Sequence, residues 1–115
     1  MTEQTVFTQI RDREIPADIV YEDDEIFAFR DIHPQAPTHI LIVPKAVIAT
    51  INDLDDEQAG LVGRMVLVAK QIAREEGIAQ SGYRLVMNCN EDGGQTVFHI
   101  HLHVLGGRSM HWPPG

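Results

Sequence analysis

The stretch Gln95-Thr96-Val97-Phe98-His99-Ile100-His101-Leu102-His103-Val104-Leu105 places three of the chain's six histidines at alternate positions. Extended backbone sends successive side chains to opposite faces, so this spacing predicts a strand over 97–105. His99, His101 and His103 then share one face, and Ile100, Leu102 and Val104 share the other. A chain with such a strand needs a sheet that buries one side and offers the opposite side to chemistry. Imidazole serves near neutral pH as nucleophile, proton carrier or metal ligand, so three in register call for more than packing.

The other segments supply the sheet. Ile19-Val20-Tyr21 and the run Ile26-Phe27-Ala28-Phe29-Arg30-Asp31 are β-branched and aromatic, and the charged turn Glu22-Asp23-Asp24-Glu25 between them predicts an antiparallel hairpin. His39-Ile40-Leu41-Ile42-Val43-Pro44 is nearly continuous in apolar residues, as in a strand buried on both faces, with His39 at its mouth. Tyr83-Arg84-Leu85-Val86-Met87-Asn88 predicts a further strand, joined by the turn around Asp92-Gly93-Gly94 to the histidine strand as its antiparallel neighbour. Between these lies one long helix over 55–76, where Val62, Met65, Val66, Ala69, Ile72 and Ala73 recur at three- and four-residue steps. Asp53 or Asp55 suits its N-cap, and Gly77 suits the left-handed position beyond its end. Leu61, Leu67 and Val68 widen its apolar surface, and Gly60 and Gly63 mark places for close packing. A cover of its own sheet and a partner subunit both remain open as explanations. Val6, Phe7 and Ile10 predict a short helix before Pro16.

With 115 residues the chain is expected to form a single domain, 1–115, in which 106–115 is a C-terminal tail. No apolar run is long enough to cross a bilayer, and Met1-Thr2-Glu3-Gln4-Thr5 lacks the pattern of a secretory leader, so no membrane association and a cytoplasmic location are expected. Cys89, the only cysteine, excludes an internal disulfide. A net charge of -8 without a basic patch argues against binding nucleic acid through its backbone. A phosphorylated ligand would have to be small and held by hydrogen bonds and backbone dipoles. Gly93-Gly94-Gln95-Thr96 offers N–H groups and a hydroxyl for that purpose, although Asp-Gly-Gly is also simply a turn.

Three explanations compete for the histidines. They are a solvated surface, a zinc site in which His-x-His is completed by His103 or His39, or a nucleophile flanked by imidazoles that orient it and move protons. The outer two would stand roughly 13 Å apart on an extended strand, which is awkward for three ligands on one tetrahedral ion.

His99-Ile100-His101-Leu102-His103-Val104-Leu105 resembles the histidine-triad signature. Phe7, Glu14-Ile15-Pro16-Ala17, Pro34-Gln35-Ala36-Pro37-Thr38-His39, Asp92-Gly93-Gly94-Gln95 and Met110-His111-Trp112-Pro113-Pro114-Gly115 extend the likeness over nearly the whole chain, towards the Hint branch of the histidine-triad (HIT) superfamily. The resemblance implies an α+β fold with a five-stranded, mainly antiparallel sheet, one long and one short helix, and a homodimer in which two sheets join. It implies hydrolysis of purine nucleoside 5'-phosphoramidates to a nucleoside monophosphate and an amine, with AMP, GMP and aminoacyl adenylates as related ligands and neither metal nor cofactor. Alternatives are a nucleotide-binding regulatory protein with incidental hydrolysis, or a dinucleoside polyphosphate hydrolase. Carried over by position, His101 is the nucleophile, His103, His39 and His99 assist it, and Thr96 contacts the phosphate or leaving group. Asn88 and Gly94 hold the phosphate and ribose side, and Asp31 takes the ribose hydroxyls. Phe7, Ile10, Phe29 and Ile32 enclose the base, and Trp112 reaches the neighbouring subunit. His103, where nucleotidyltransferase relatives carry Gln, favours hydrolysis over transfer. His33 departs from the small polar residue of many relatives.

Overall fold

The computed structural model describes residues 4–115, so the start of the polar N-terminus lies outside it. The elements run α1 (Val6–Arg11), β1 (Ile19–Glu22), β2 (Ile26–Arg30), β3 (Thr38–Pro44), α2 (Ala59–Glu75), β4 (Tyr83–Val86) and β5 (Leu102–Gly106). The strands form one antiparallel sheet in the order β1-β2-β3-β5-β4, so the apolar β3 lies at its centre. The hairpin, the pairing of β4 with β5 and the α+β class all agree with the sequence.

The continuous apolar run of β3 has a direct cause. Alternate residues of β2 and β3 enter two different cores. Ile26, Ala28, Ile40 and Ile42 pack under α2 with Met65, Val68, Ala69, Ile72 and Ala73, together with Ile100, Leu102 and Val104. Phe27, Phe29, Leu41 and Val43 face the other way and pack with Phe7 and Ile10 of α1. α2 therefore covers the centre of one face, whereas the short α1 covers only part of the other. The histidines lie on this second face, with His99 and His101 against Phe7 of α1.

Three boundaries differ from expectation, the first being β4, which ends at Val86 rather than Asn88. The long helix begins at Ala59, after short 3-10 turns at Ile51–Asp53 and Asp56–Gln58 capped by Thr50 and Asp55. Gly77 does take a left-handed conformation after it, at φ 75°. Gly60 and Gly63 have open space where a Cβ would stand, so within one chain they mark no close contact. The histidine strand is shorter than predicted and begins at Leu102 rather than 97. Its ladder with β3 starts at the pair Ile42–Leu102. Beyond that pair, the Pro44 carbonyl accepts from the ring of His99 at 2.7 Å, and the Ile100 N–H turns to Ile48 O at 2.8 Å. A side chain and a loop carbonyl have replaced the ladder there.

Candidate active site

Although His99 and His101 precede the strand, the division of faces survives. Ile100, Leu102 and Val104 all enter the α2 core, while the three imidazoles lie on the α1 side. The register explains the fourth imidazole. His39 pairs with Leu105, and His103 pairs with Leu41 two residues further along β3, so His39 and His103 are diagonal neighbours on one face. Their rings meet with Nε2 of His39 2.9 Å from Nδ1 of His103.

The hydrogen-bond partners assign a proton to each ring, because a carbonyl can only accept and a backbone N–H can only donate. His101 Nδ1 lies 2.8 Å from the carbonyl of His99, so Nδ1 carries the proton and Nε2 keeps a free lone pair. His99 donates from Nε2 to Pro44 O, which leaves its Nδ1 to accept from the Thr5 hydroxyl at 3.2 Å. The Gln35 N–H donates to His39 Nδ1 at 3.0 Å, so His39 donates from Nε2 to His103 Nδ1, and His103 carries its own proton on Nε2. One lone pair at His101 and one N–H at His103 are thus left over.

These rings are held neutral. Burial pushes His39, His99 and His101 below the ordinary imidazole value, against the opposing pull of Asp31 on His39 and His101. Burial, followed by the charges of His101 and His39, lowers His103 to about 4. The geometry gives the same answer for the pair. A second proton at His103 Nδ1 would face the N–H of His39, and His39 cannot switch tautomer against the Gln35 N–H.

Two of the four rings, His101 and His103, open into a cavity of about 370 Å³ lined also by Asp31, Phe7, Ile10 and Phe29, among others. That size and mostly apolar lining suit a small organic ligand. Ile32, 83% exposed, forms its lip, and Thr96 and His33 also border it. Phe7 turns an edge onto His101 with ring centres 4.9 Å apart. The sequence reading missed Val6, Ile15, Pro16, Ala17, Leu41 and Val97, which also line the cavity. Only the docking of α1 and the segment behind it onto the sheet brings most of them there.

Other expected residues stand apart. Asn88 and Gly94 are not part of that lining. The Gly94 N–H is bonded within its own turn to Glu91 O at 2.9 Å, so it is not free to receive an anion. Buried Gln95 organises this loop, accepting from Asn90 N and donating to the carbonyls of Ala49 and Val97. Trp112 is 82% exposed and lies away from the cavity of its own chain.

Asp31, His39 and His103 bring one potential ligand atom each within 4.8 Å of one another, a donor set that a transition metal could use. Their hydrogen bonding argues against coordination as the resting arrangement. An ion at His39 Nε2 would have to displace the proton shared with His103 while Nδ1 still accepted from Gln35.

The family model described as the HIT domain matches residues 12–110. The chain belongs to the HIT domain family. This HIT protein is 59% identical over 110 residues to the purine nucleoside phosphoramidase of Escherichia coli K12, a match spanning 96% of this chain and 92% of that one. It is 55% identical, over the full length of both chains, to an uncharacterized HIT-like protein of Synechococcus elongatus. Its fold superposes with a TM-score of 0.95 on the crystal structure of a HIT family hydrolase from Legionella pneumophila, at 56% identity, covering 97% of this chain and 100% of that one.

Proposed function

We propose that this HIT protein is an enzyme that hydrolyses purine nucleoside 5'-phosphoramidates to a nucleoside monophosphate and an amine. The observation that carries the proposal is the state of His101, whose Nδ1 proton is tied to the His99 carbonyl while its Nε2 lone pair remains available beside an apolar cavity. The name of the Escherichia coli relative supports the choice of substrate class.

In the first step the Nε2 lone pair of His101 attacks the α-phosphorus. An N–P bond forms to the imidazole, the P–N bond to the substrate amine breaks, and the amine leaves with that electron pair and takes up a proton. In the second step water attacks phosphorus, the bond to His101 breaks, and the water's proton passes to solvent. The N–H left over on His103 donates to the phosphoryl oxygens or the leaving group, and the Thr96 hydroxyl assists from the rim. His39 keeps His103 in the tautomer that makes this possible, and His99 sets the angle of His101. Asp31 accepts from the ribose hydroxyls. Phe7, Ile10, Phe29 and Ile32 enclose the purine by burial and stacking, which tolerates different purine edges. Asn88 and Gly94 take no direct contact in this scheme. No step needs a metal. The working form is a homodimer, in which Trp112, exposed in the single chain, reaches the partner's cavity.

Trapping tests this. The protein is mixed with adenosine 5'-phosphoramidate and quenched in the first turnover, and the nucleotidyl group is located by peptide mapping. An adduct at His101 is expected, and an adduct on any other residue would overturn the assignment. Full turnover in a strong chelator is also expected.

A further inference from the structure

The first imidazole of the triad has no contact with the cavity, and its surroundings give it a different task. His99 is completely buried. Its Nε2–H is committed to Pro44 O, so its Nδ1 is an acceptor buried away from water and needs a donor from the protein. The Thr5 hydroxyl supplies it at 3.2 Å. The same hydroxyl oxygen accepts from the backbone N–H groups of Phe7 and Thr8, both at 3.2 Å, and so caps the N-terminus of α1. One oxygen therefore joins two structures. On one side is α1, which brings Phe7 against His101 and Ile10 to the cavity wall. On the other is His99, whose carbonyl holds the Nδ1 proton of His101. A second tie, from Arg11 Nη1 to Lys45 O at 2.7 Å, pins the far end of α1 next to Pro44. Thr5 lies outside the segment that the family model matches, which begins at residue 12.

We infer that Thr5 is a positioning residue for the reaction. Its hydroxyl proton fixes the tautomer and place of His99, and through the His99 carbonyl it fixes the aim of the His101 lone pair, while its oxygen holds α1 over the same site. This rests on the nucleophilic role proposed above for His101. Capping alone is a sufficient structural use for a threonine at such a position, so the two roles must be separated.

Substitutions at Thr5 separate them. Serine keeps both the acceptor and the proton. Aspartate is a good N-cap acceptor with no proton to give at neutral pH. Valine keeps the shape and loses both. In steady-state assays with adenosine 5'-phosphoramidate, T5V and T5D are each expected to lose about tenfold in kcat, the worth of one mispositioning hydrogen bond, with KM within about twofold of the parent. T5S is expected to restore kcat. Melting temperature should fall for both T5D and T5V, which leave the buried His99 Nδ1 without a donor, and fall further for T5V, which also loses the cap. The second readout needs no turnover. The 15N shifts of the His99 ring should show an Nε2–H tautomer with a hydrogen-bonded Nδ1 in the parent and in T5S, and an altered Nδ1 in T5D and T5V. A T5D protein with parental kcat and an unchanged His99 ring would overturn the inference and leave Thr5 as a cap only. If the parent showed no phosphoramidase turnover while the His99 shifts changed as expected, the proposed reaction would fall and the Thr5–His99 coupling would stand.

Discussion

The two faces of the sheet are built from adjacent residues of the same strands and use burial to opposite ends. Under α2, Ile26, Ile40, Ile42, Met65 and Ile72 are buried among one another and contribute only the free energy of leaving water. On the α1 side, His99, His101 and His39 are nearly as buried, and there burial disfavours charge and makes every hydrogen bond consequential. The described residues include no buried side-chain nitrogen or oxygen without a partner, which shows how fully that second face has been satisfied. The difference is one of tolerance. The apolar face accepts a change of shape at a graded cost in stability, and the histidine face accepts almost no change in where its protons sit.

The comparison is broken most sharply at His101. Replacing it with alanine is expected to lower turnover by about a thousandfold or more while the protein stays folded and still binds AMP, as followed by steady-state kinetics and calorimetric titration. The mirror experiment is Ile42→Ala on the apolar face. It should cost about 2–4 kcal/mol in urea unfolding and leave kcat per folded molecule close to the parent's. If it lowered kcat as severely as stability, the two faces would not be separable.

Acid should distinguish them next. In the unfolded chain the histidines take up protons near pH 6.5, whereas in the folded protein His39, His99 and His101 titrate lower and His103 only at about 4. The unfolded state then binds more protons between those values, so stability present above about pH 6.5 is lost as the pH falls towards about 4. Urea midpoints measured from pH 7.5 to 5 should decline. His103→Asn should flatten that slope, and Ile42→Ala should leave it parallel to the parent's. The smallest effect is expected at Arg30, whose guanidinium makes a bidentate pair with Glu76 at 2.6 and 2.9 Å near the end of α2. Arg30→Gln should cost about 1 kcal/mol or less, and less still in high salt, because the pair is partly exposed.

The sequence carried the apolar face almost completely, since alternation in β2, β3 and the triad and the helical repeat of α2 are local patterns. It also singled out His101, His103 and His39, whose residue type is conspicuous, whereas Asp31 came only from the family resemblance. It did not reveal the start of β5, because that depends on the ring of His99 taking a carbonyl that a strand would have used. Nor did it reveal the parts played by Thr5 and Gln35. A hydroxyl 94 positions away from its acceptor and a backbone N–H that fixes a tautomer leave no periodic trace in the chain. The hydrogen bond from the Gly94 N–H to Glu91 O within the turn is likewise invisible in the words Gly-Gly.

The period of two in β3 also sets which accidents of descent this protein can survive. One residue inserted inside β3, between Ile40 and Leu41, would put the strand out of phase, sending Leu41 towards the α2 core and Ile42 towards the opposite face. Residues inserted before Thr38, one or two alike, leave that register unchanged and only lengthen the loop after Asp31. Changes of length in this protein should therefore collect in that loop and be absent from the strand, where each residue's face is fixed by its neighbours on both sides.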